Sequence, residues 1–303
     1  MNGRQRIAED SARAGIAARI VVIALILIAG VAGCTSAPSG GPPPAPSLAQ
    51  VSLIDITSAD IPRDRAFYER TFGWTLAADY PNYPILAAGK GPDIGLAMLG
   101  NPEAGPLEPL YRIGQSLVFF GVSDIDAALQ RAVALRGRVV QPATPISVGG
   151  SYAMFADPAG NVIGLTQHAT HPVTSSGAAG KPNPATLVAI STPDVAGTRS
   201  FYEQLFGLRL KERSPGYPIL TSGAGPDIGI ARVDDPEAGP AVPLYQVGKP
   251  VVLLQTPDID TSLKEVGQSG GTTFQSKVAL PSGGAYAFFT DPSGNTLGLL
   301  ERP

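Results

Sequence analysis

Short runs of β-prone residues alternate with two amphipathic stretches, and the whole pattern then repeats. Val51 to Ile56 is the first such run. Asp60 stands where a helix N-cap would, and Arg65 to Phe72 put Phe67, Tyr68 and Phe72 on one side of a helix that Gly73 stops. Leu76 to Ala78, Pro84 to Ala88 and Ile94 to Leu99 follow as strands punctuated by proline and glycine. A second round opens with Leu117 to Val122. The acids of Asp124-Ile125-Asp126 favour a helix start, and Ala127 to Leu135 is that helix, closed by Gly137. Strands at Val139–Val140, Tyr152 to Ala156 and Val162 to Thr166 complete the unit, the last two joined by Asp157-Pro158-Ala159-Gly160-Asn161. The pattern predicts an α+β class, βαβββ followed by βαβββ.

Residues 51–168 recur at 185–302 without a gap, at a constant offset of 134 residues. Phe67-Tyr68-Glu69 returns as Phe201-Tyr202-Glu203, and Gly91-Pro92-Asp93-Ile94-Gly95 as Gly225-Pro226-Asp227-Ile228-Gly229. Pro102-Glu103-Ala104-Gly105-Pro106 returns as Pro236-Glu237-Ala238-Gly239-Pro240, and the Asp157–Asn161 run as Asp291-Pro292-Ser293-Gly294-Asn295. A period this long exceeds a solenoid unit and matches a whole domain. Two tandem domains are expected, at 50–168 and 185–303, with a Ser/Gly/Pro-rich linker at 169–184. The two are expected to pair with each other, and the Pro-Glu-Ala-Gly-Pro loops to shape a rim or pack domain on domain.

The first 33 residues differ in kind. Arg4, Arg6, Arg13 and Arg19 lead into the apolar run Ile20 to Ala32, which is short for a bilayer span and suits a secretory signal. It ends in Val31-Ala32-Gly33-Cys34, which resembles the lipobox of bacterial lipoproteins and implies lipidation of Cys34. Cys34 is the only cysteine, so no internal disulfide can form. Residues 34–49 read as an extended tether through Pro42-Pro43-Pro44. The expected location is therefore outside the cytoplasm, on the bacterial cell envelope, with the membrane as a partner through the lipid. Apolar residues at 44% suffice for two cores, and a net charge of −3 without blocks of like charge gives no reason to expect nucleic acid as a partner.

Phe-Tyr-Glu-x-x-Phe-Gly after a first strand, Asp-x-Asp before a second helix, and a closing Asp-Pro-x-Gly-Asn turn, all twice at one spacing, resemble the vicinal oxygen chelate superfamily. That group contains the glyoxalase I, bleomycin-resistance and extradiol dioxygenase proteins. The resemblance implies two glyoxalase-like domains, each a pair of βαβββ modules whose sheets curl into a cup. It also implies where a divalent ion would be held: on the first strand of each module and on the last strand after the turn. Those positions here are Leu53, Leu117 and Gly164 in the first domain, and Leu187, Val251 and Gly298 in the second. None offers the N or O donor that such a site needs, so no metal is expected.

What remains for the cups is apolar wall with hydroxyls. Tyr83, Tyr111 and Tyr152 recur as Tyr217, Tyr245 and Tyr286, and Tyr152 and Tyr286 are candidates to place a hydroxyl inside. Asp55 shares strand parity with Leu53 and is replaced by Ala189 in the second domain, making it the candidate for acid chemistry or else a capped or edge-exposed carboxylate. His168 and His171, the only histidines, read as solvated linker residues. The leading expectation is a metal-free binding protein for a small apolar molecule. About 200 Å² of apolar burial would contribute ~5 kcal/mol before association costs, a dissociation constant no tighter than roughly 0.1 mM. The alternatives are a lyase, isomerase or dioxygenase with an atypical metal site drawing on Asp55, Glu69 or Glu103, and an interaction or scaffold protein.

Overall fold

The computed structural model describes residues 49–147, 149–167, 183–281 and 283–303. The expected signal segment, Cys34, most of the expected tether and linker, and both histidines lie outside the described residues. Domain 1 contains strands β1 (Gln50–Ser58), β2 (Thr75–Tyr80), β3 (Tyr83–Ala87), β4 (Asp93–Met98), β5 (Leu117–Gly121), β6 (Arg138–Pro145), β7 (Ser151–Ala156) and β8 (Val162–Gln167). Helices α1 (Ile61–Phe72) and α2 (Ile125–Ala134) follow β1 and β5. Domain 2 repeats the order with β9 (Ala185–Thr192), α3 (Val195–Phe206), β10 (Arg209–Glu212), β11 (Ile219–Thr221), β12 (Asp227–Arg232), β13 (Val251–Gln255), α4 (Ile259–Gln268), β14 (Thr272–Ala279), β15 (Ala285–Thr290) and β16 (Thr296–Glu301).

Each domain is one curled eight-stranded sheet, in order β2-β3-β4-β1-β5-β8-β7-β6 for domain 1 and the equivalent order for domain 2. Within a module the first and last strands run parallel, as β1 with β4 and β5 with β8, and the two modules join through the antiparallel pair β1–β5. Helix α1 begins at Ile61 rather than Arg65. Asp60 accepts from Arg63 N at 3.2 Å, and Pro62 is tolerated in a first turn whose amide needs no partner. Gly73, at φ 65°, ends it in the left-handed conformation.

The two faces of each sheet do different work. Ile54 and Ile56 of β1 point to the helices, into a large core that holds Phe67 and Phe72 of α1 together with Phe201 and Phe206 of α3. That core is shared between the domains. Phe72 lies 5.4 Å from Phe289 of β15, and Phe120 of β5 stacks on Phe206 at 4.2 Å. Helix α1 thus packs on the second module of domain 2, and α3 on the second module of domain 1.

The chain ends of the two domains are tied into this interface. Ala49 N donates to Phe206 O at 3.2 Å, and its counterpart Asn183 N to Phe72 O at 3.4 Å. Asn183 also accepts from Trp74 Nε1 and donates to Gln255 O. Ala49 and Asn183, placed by the sequence in tether and linker, are buried parts of the folded body.

Candidate functional site

The opposite, concave face of each sheet carries its own smaller cluster. In domain 1 it comprises Ala97, Tyr111, Leu117, Phe119 and Met154, with Leu53, Tyr83 and Val162 packed against it. The 3₁₀ segment Pro102–Leu110, kinked at Gly105 (φ 55°), lays Ala104, Leu107 and Leu110 over this cluster. The Pro-Glu-Ala-Gly-Pro loop is therefore a rim of the cup. Its counterpart Pro236–Leu244 covers the domain 2 cup with Ala238, Ala241 and Leu244.

Strand register places the residues predicted for the site. Asp55 stands opposite Leu117 on β5 and beside Gly95 on β4; Leu53 stands opposite Phe119, which neighbours Gly164 on β8. Leu187, Val251 and Gly298 take the same places in domain 2, with Leu253 in the role of Phe119. The glycines are filled from the neighbouring strand. A β-carbon on Gly164 would lie 2.5 Å from Phe119 Cε1, and one on Gly298 2.6 Å from Leu253 Cγ. Tyr152 and Tyr286 are partly buried at the cup margins, Tyr286 5.6 Å from Phe288.

A divalent ion does not fit these donors. Leu53, Leu117 and Gly164 bring carbon to the expected positions, and Phe119 occupies the space beside Gly164. Among the described residues no three His, Cys, Asp or Glu side chains come together. The alternative set of Asp55, Glu69 and Glu103 is not assembled. Glu69 pairs with Arg65 along α1 at 2.7 Å, and Glu103 is exposed on the rim segment.

Asp55 is the polar centre of the domain 1 cup, on a central strand rather than at an edge. It is 1% exposed and accepts from Tyr83 Oη at 2.6 Å and Tyr111 Oη at 2.8 Å. Burial lifts its carboxyl to about 7 against the lowering effect of the two phenol hydrogen bonds. The phenols are pushed well up in turn, by burial and by the carboxylate beside them. The sequence marks Tyr83 and Tyr111 only as recurring hydroxyls of the cup; their pairing with Asp55 is the feature it does not reveal. No coupled change inside the chain signals it, since both tyrosines recur where the aspartate does not. Where Asp55 becomes Ala189, Tyr217 and Tyr245 face each other instead, ring centroids 5.8 Å apart.

Gly95 is required by this cluster, since a β-carbon there would lie 2.6 Å from Tyr83 Oη. Tyr111 also forms part of an open groove of ≈ 380 Å³ with Leu99, Glu108, Pro109, Arg112 and Ile113. Asp93, near the other end of the same face, is buried and lifted to about 6 by desolvation. Its counterpart Asp227 instead holds Lys211 at 2.6 Å, where domain 1 has Ala77.

A family model for the Glyoxalase/Bleomycin resistance protein/Dioxygenase superfamily matches residues 50–165 and again 186–299. The chain belongs to this superfamily. Among similar proteins is CFP32 of Mycobacterium tuberculosis, whose name assigns it provisionally to the glyoxylases; it is 26% identical over 262 residues, covering 82% of this chain and 93% of that protein. The anthracycline biosynthesis protein DnrV of Streptomyces peucetius is 24% identical over 261 residues, covering 82% and 91%. Among solved structures, an extradiol ring-cleaving dioxygenase from B. fuscum superimposes with a TM-score of 0.62 at 15% identity, covering 86% of this chain and 73% of that one. A mutant of 4-hydroxymandelate synthase from Streptomyces coelicolor gives 0.56 at 16% identity, covering 85% and 93%. At such identities these two structures share the fold alone with this glyoxalase-superfamily chain.

Proposed function

We propose that this chain is a metal-free binding protein of the glyoxalase superfamily, held on the bacterial cell envelope by lipid on Cys34. Its ligand is a small, largely apolar compound taken up at the domain 1 cup and the groove beside Tyr111. The observation that carries this reading is the filling of the metal position. Gly164 has no side chain to coordinate with, and the Phe119 ring occupies the space a donor would need. Both cups carry apolar packing at the positions where a metal would be held, and domain 1 holds one buried carboxylate within it. Metal content after expression with Fe, Mn, Ni and Zn available, followed by a screen of apolar compounds against the purified protein, tests the reading. A stoichiometric ion that raises the melting temperature, or the absence of any ligand, overturns it.

A second reading is favoured by one observation, a carboxyl lifted to about 7 in a protein similar to one named for the glyoxylases. Asp55 would then take and return a proton at a bound substrate. Turnover of any carbonyl compound by the purified protein, lost in Asp55→Asn with the fold intact, would decide for it.

A further inference from the structure

Three kinds of polar atom gather on the cup face at the middle of β1: the Asp55 carboxylate, the phenol oxygens of Tyr83 and Tyr111, and the Thr57 hydroxyl. Asp55 and Thr57 share a face because β1 runs in unbroken register with β4 from Leu53 to Ser58. Both phenol hydrogens are spent on Asp55. Each carboxylate oxygen keeps a further lone pair, and each phenol oxygen can still accept. Thr57 Oγ1 is buried and has no partner among the described residues. A buried hydroxyl in that condition can still accept and donate a hydrogen bond. The cluster is rich in acceptors, poor in free donors and out of water, and its carboxylate has only neutral partners.

We propose that this site takes the ammonium head of a small amine whose apolar body lies in the groove over Tyr111. The inference rests on the binding function proposed above and names the chemical class of its ligand. An ammonium brings N–H donors and a positive charge, matching the surplus of acceptors and the unpaired negative charge. A carboxylate or phosphate head would bring more acceptors and a like charge, and an alcohol offers a single donor. Leu99, Pro109 and Ile113 supply the apolar contacts for the body in a groove that Glu108, Tyr111 and Arg112 also line. Glu108 and Arg112 bring one charge of each sign to the groove, so the choice of a cation is made inside, at Asp55. Domain 2 is an internal control. Ser191 repeats the orphan hydroxyl of Thr57, yet Ala189 stands in place of Asp55, so one ammonium binds per chain and not two.

The full chain is titrated at pH 8 with benzylammonium chloride and, separately, with benzyl alcohol, and binding is read by calorimetry and proton NMR. One equivalent of benzylammonium should bind about tenfold tighter than the alcohol, the gain expected of a hydrogen bond to a charged group. Asp55→Asn should reduce that advantage to about twofold or less. Equal binding of the two probes, binding of neither, two ammonium equivalents, or an advantage that survives Asp55→Asn would each overturn the proposal. If the variant does not fold, the comparison of probes on the unaltered chain decides alone. Binding of neutral apolar compounds without preference for the ammonium leaves the binding function standing, whereas failure of every apolar compound removes both.

Discussion

Tyr68 of domain 1 donates its hydroxyl to Asp291 of domain 2 at 2.8 Å, and Tyr202 of domain 2 returns the same bond to Asp157 of domain 1 at 3.0 Å. The tyrosine belongs to the Phe-Tyr-Glu run and the aspartate to the Asp-Pro-x-Gly-Asn turn, so the two repeated motifs are partners across the pseudo-two-fold. The turn asparagines complete the lock. Asn295 Nδ2 donates to Thr57 O at 2.7 Å and Asn161 Nδ2 to Ser191 O at 3.0 Å, while Gly114 N and Gly248 N donate to their Oδ1 atoms. Tyr68→Phe leaves a buried carboxylate short of one donor, at a cost of about 1–3 kcal/mol. Trp74, the only tryptophan, stacks on Tyr68 at 4.7 Å and reports the interface by fluorescence. Urea unfolding should shift to lower midpoint as a single transition for fluorescence and circular dichroism alike. A fluorescence change well ahead of the loss of secondary structure would show that the domains part before they unfold.

The raised carboxyl of Asp55 makes stability depend on pH with a definite sign. Its value is about 7 when folded and 3.8 ordinarily, so between those values the folded chain binds the extra proton. Its contribution is fully present below pH 4 and is lost as pH rises through 7, by a total on the order of 4 kcal/mol. Asp93, lifted to about 6, acts in the same direction. Tyr83 and Tyr111, which face Asp55, stay neutral throughout because both are pushed upward. Asp55→Asn should flatten the decline in unfolding free energy between pH 5 and pH 8. An unchanged decline in that variant would assign the pH dependence to other groups.

Domain 2 shows how to relieve Asp93. Lys211 of β10 reaches Asp227 at 2.6 Å, and Ala77 holds the matching position on β2. Ala77→Lys should bring the Asp93 carboxyl back toward its ordinary value, read by NMR titration. The stability gain at pH 7 should be modest, about 0.5–1 kcal/mol, because the lysine is partly exposed. An unmoved Asp93 titration would mean that the new ammonium stays in solvent.

Much of this architecture is legible in the sequence because duplication prints it twice. Strand and helix order, the capping acids and the rim loops all follow from local patterns that tertiary packing did not override. The apolar character of Leu53, Leu117 and Gly164 could be read by position alone. The partners could not. Asp157-Pro158-Ala159-Gly160-Asn161 is good turn chemistry in isolation, and nothing local says that its Asp and Asn side chains reach into the other domain. The burial of Asp55 depends on Tyr111, which arrives from the end of a 3₁₀ segment well along the chain. Strand parity gave the face of Asp55 but neither its depth nor its company. Helix α1 begins at Ile61, before the expected Arg65, because Pro62 fits a first turn whose amides need no helical partner.

Phe119 and Gly164 answer each other across β5 and β8, and the same holds for Leu253 and Gly298. Because a β-carbon at 164 overlaps the Phe119 ring, Gly164→Ala should cost about 1–3 kcal/mol through overpacking. Phe119→Ala should cost about 3–5 kcal/mol through the cavity it leaves. The double variant should be more stable than the two costs added together, by at least about 1 kcal/mol, since the trimmed ring admits the new methyl. Thermal and urea unfolding of the four proteins measure this coupling. Additive costs would mean that Phe119 does not fill the Gly164 site, and the proposed metal-free cup would lose that support.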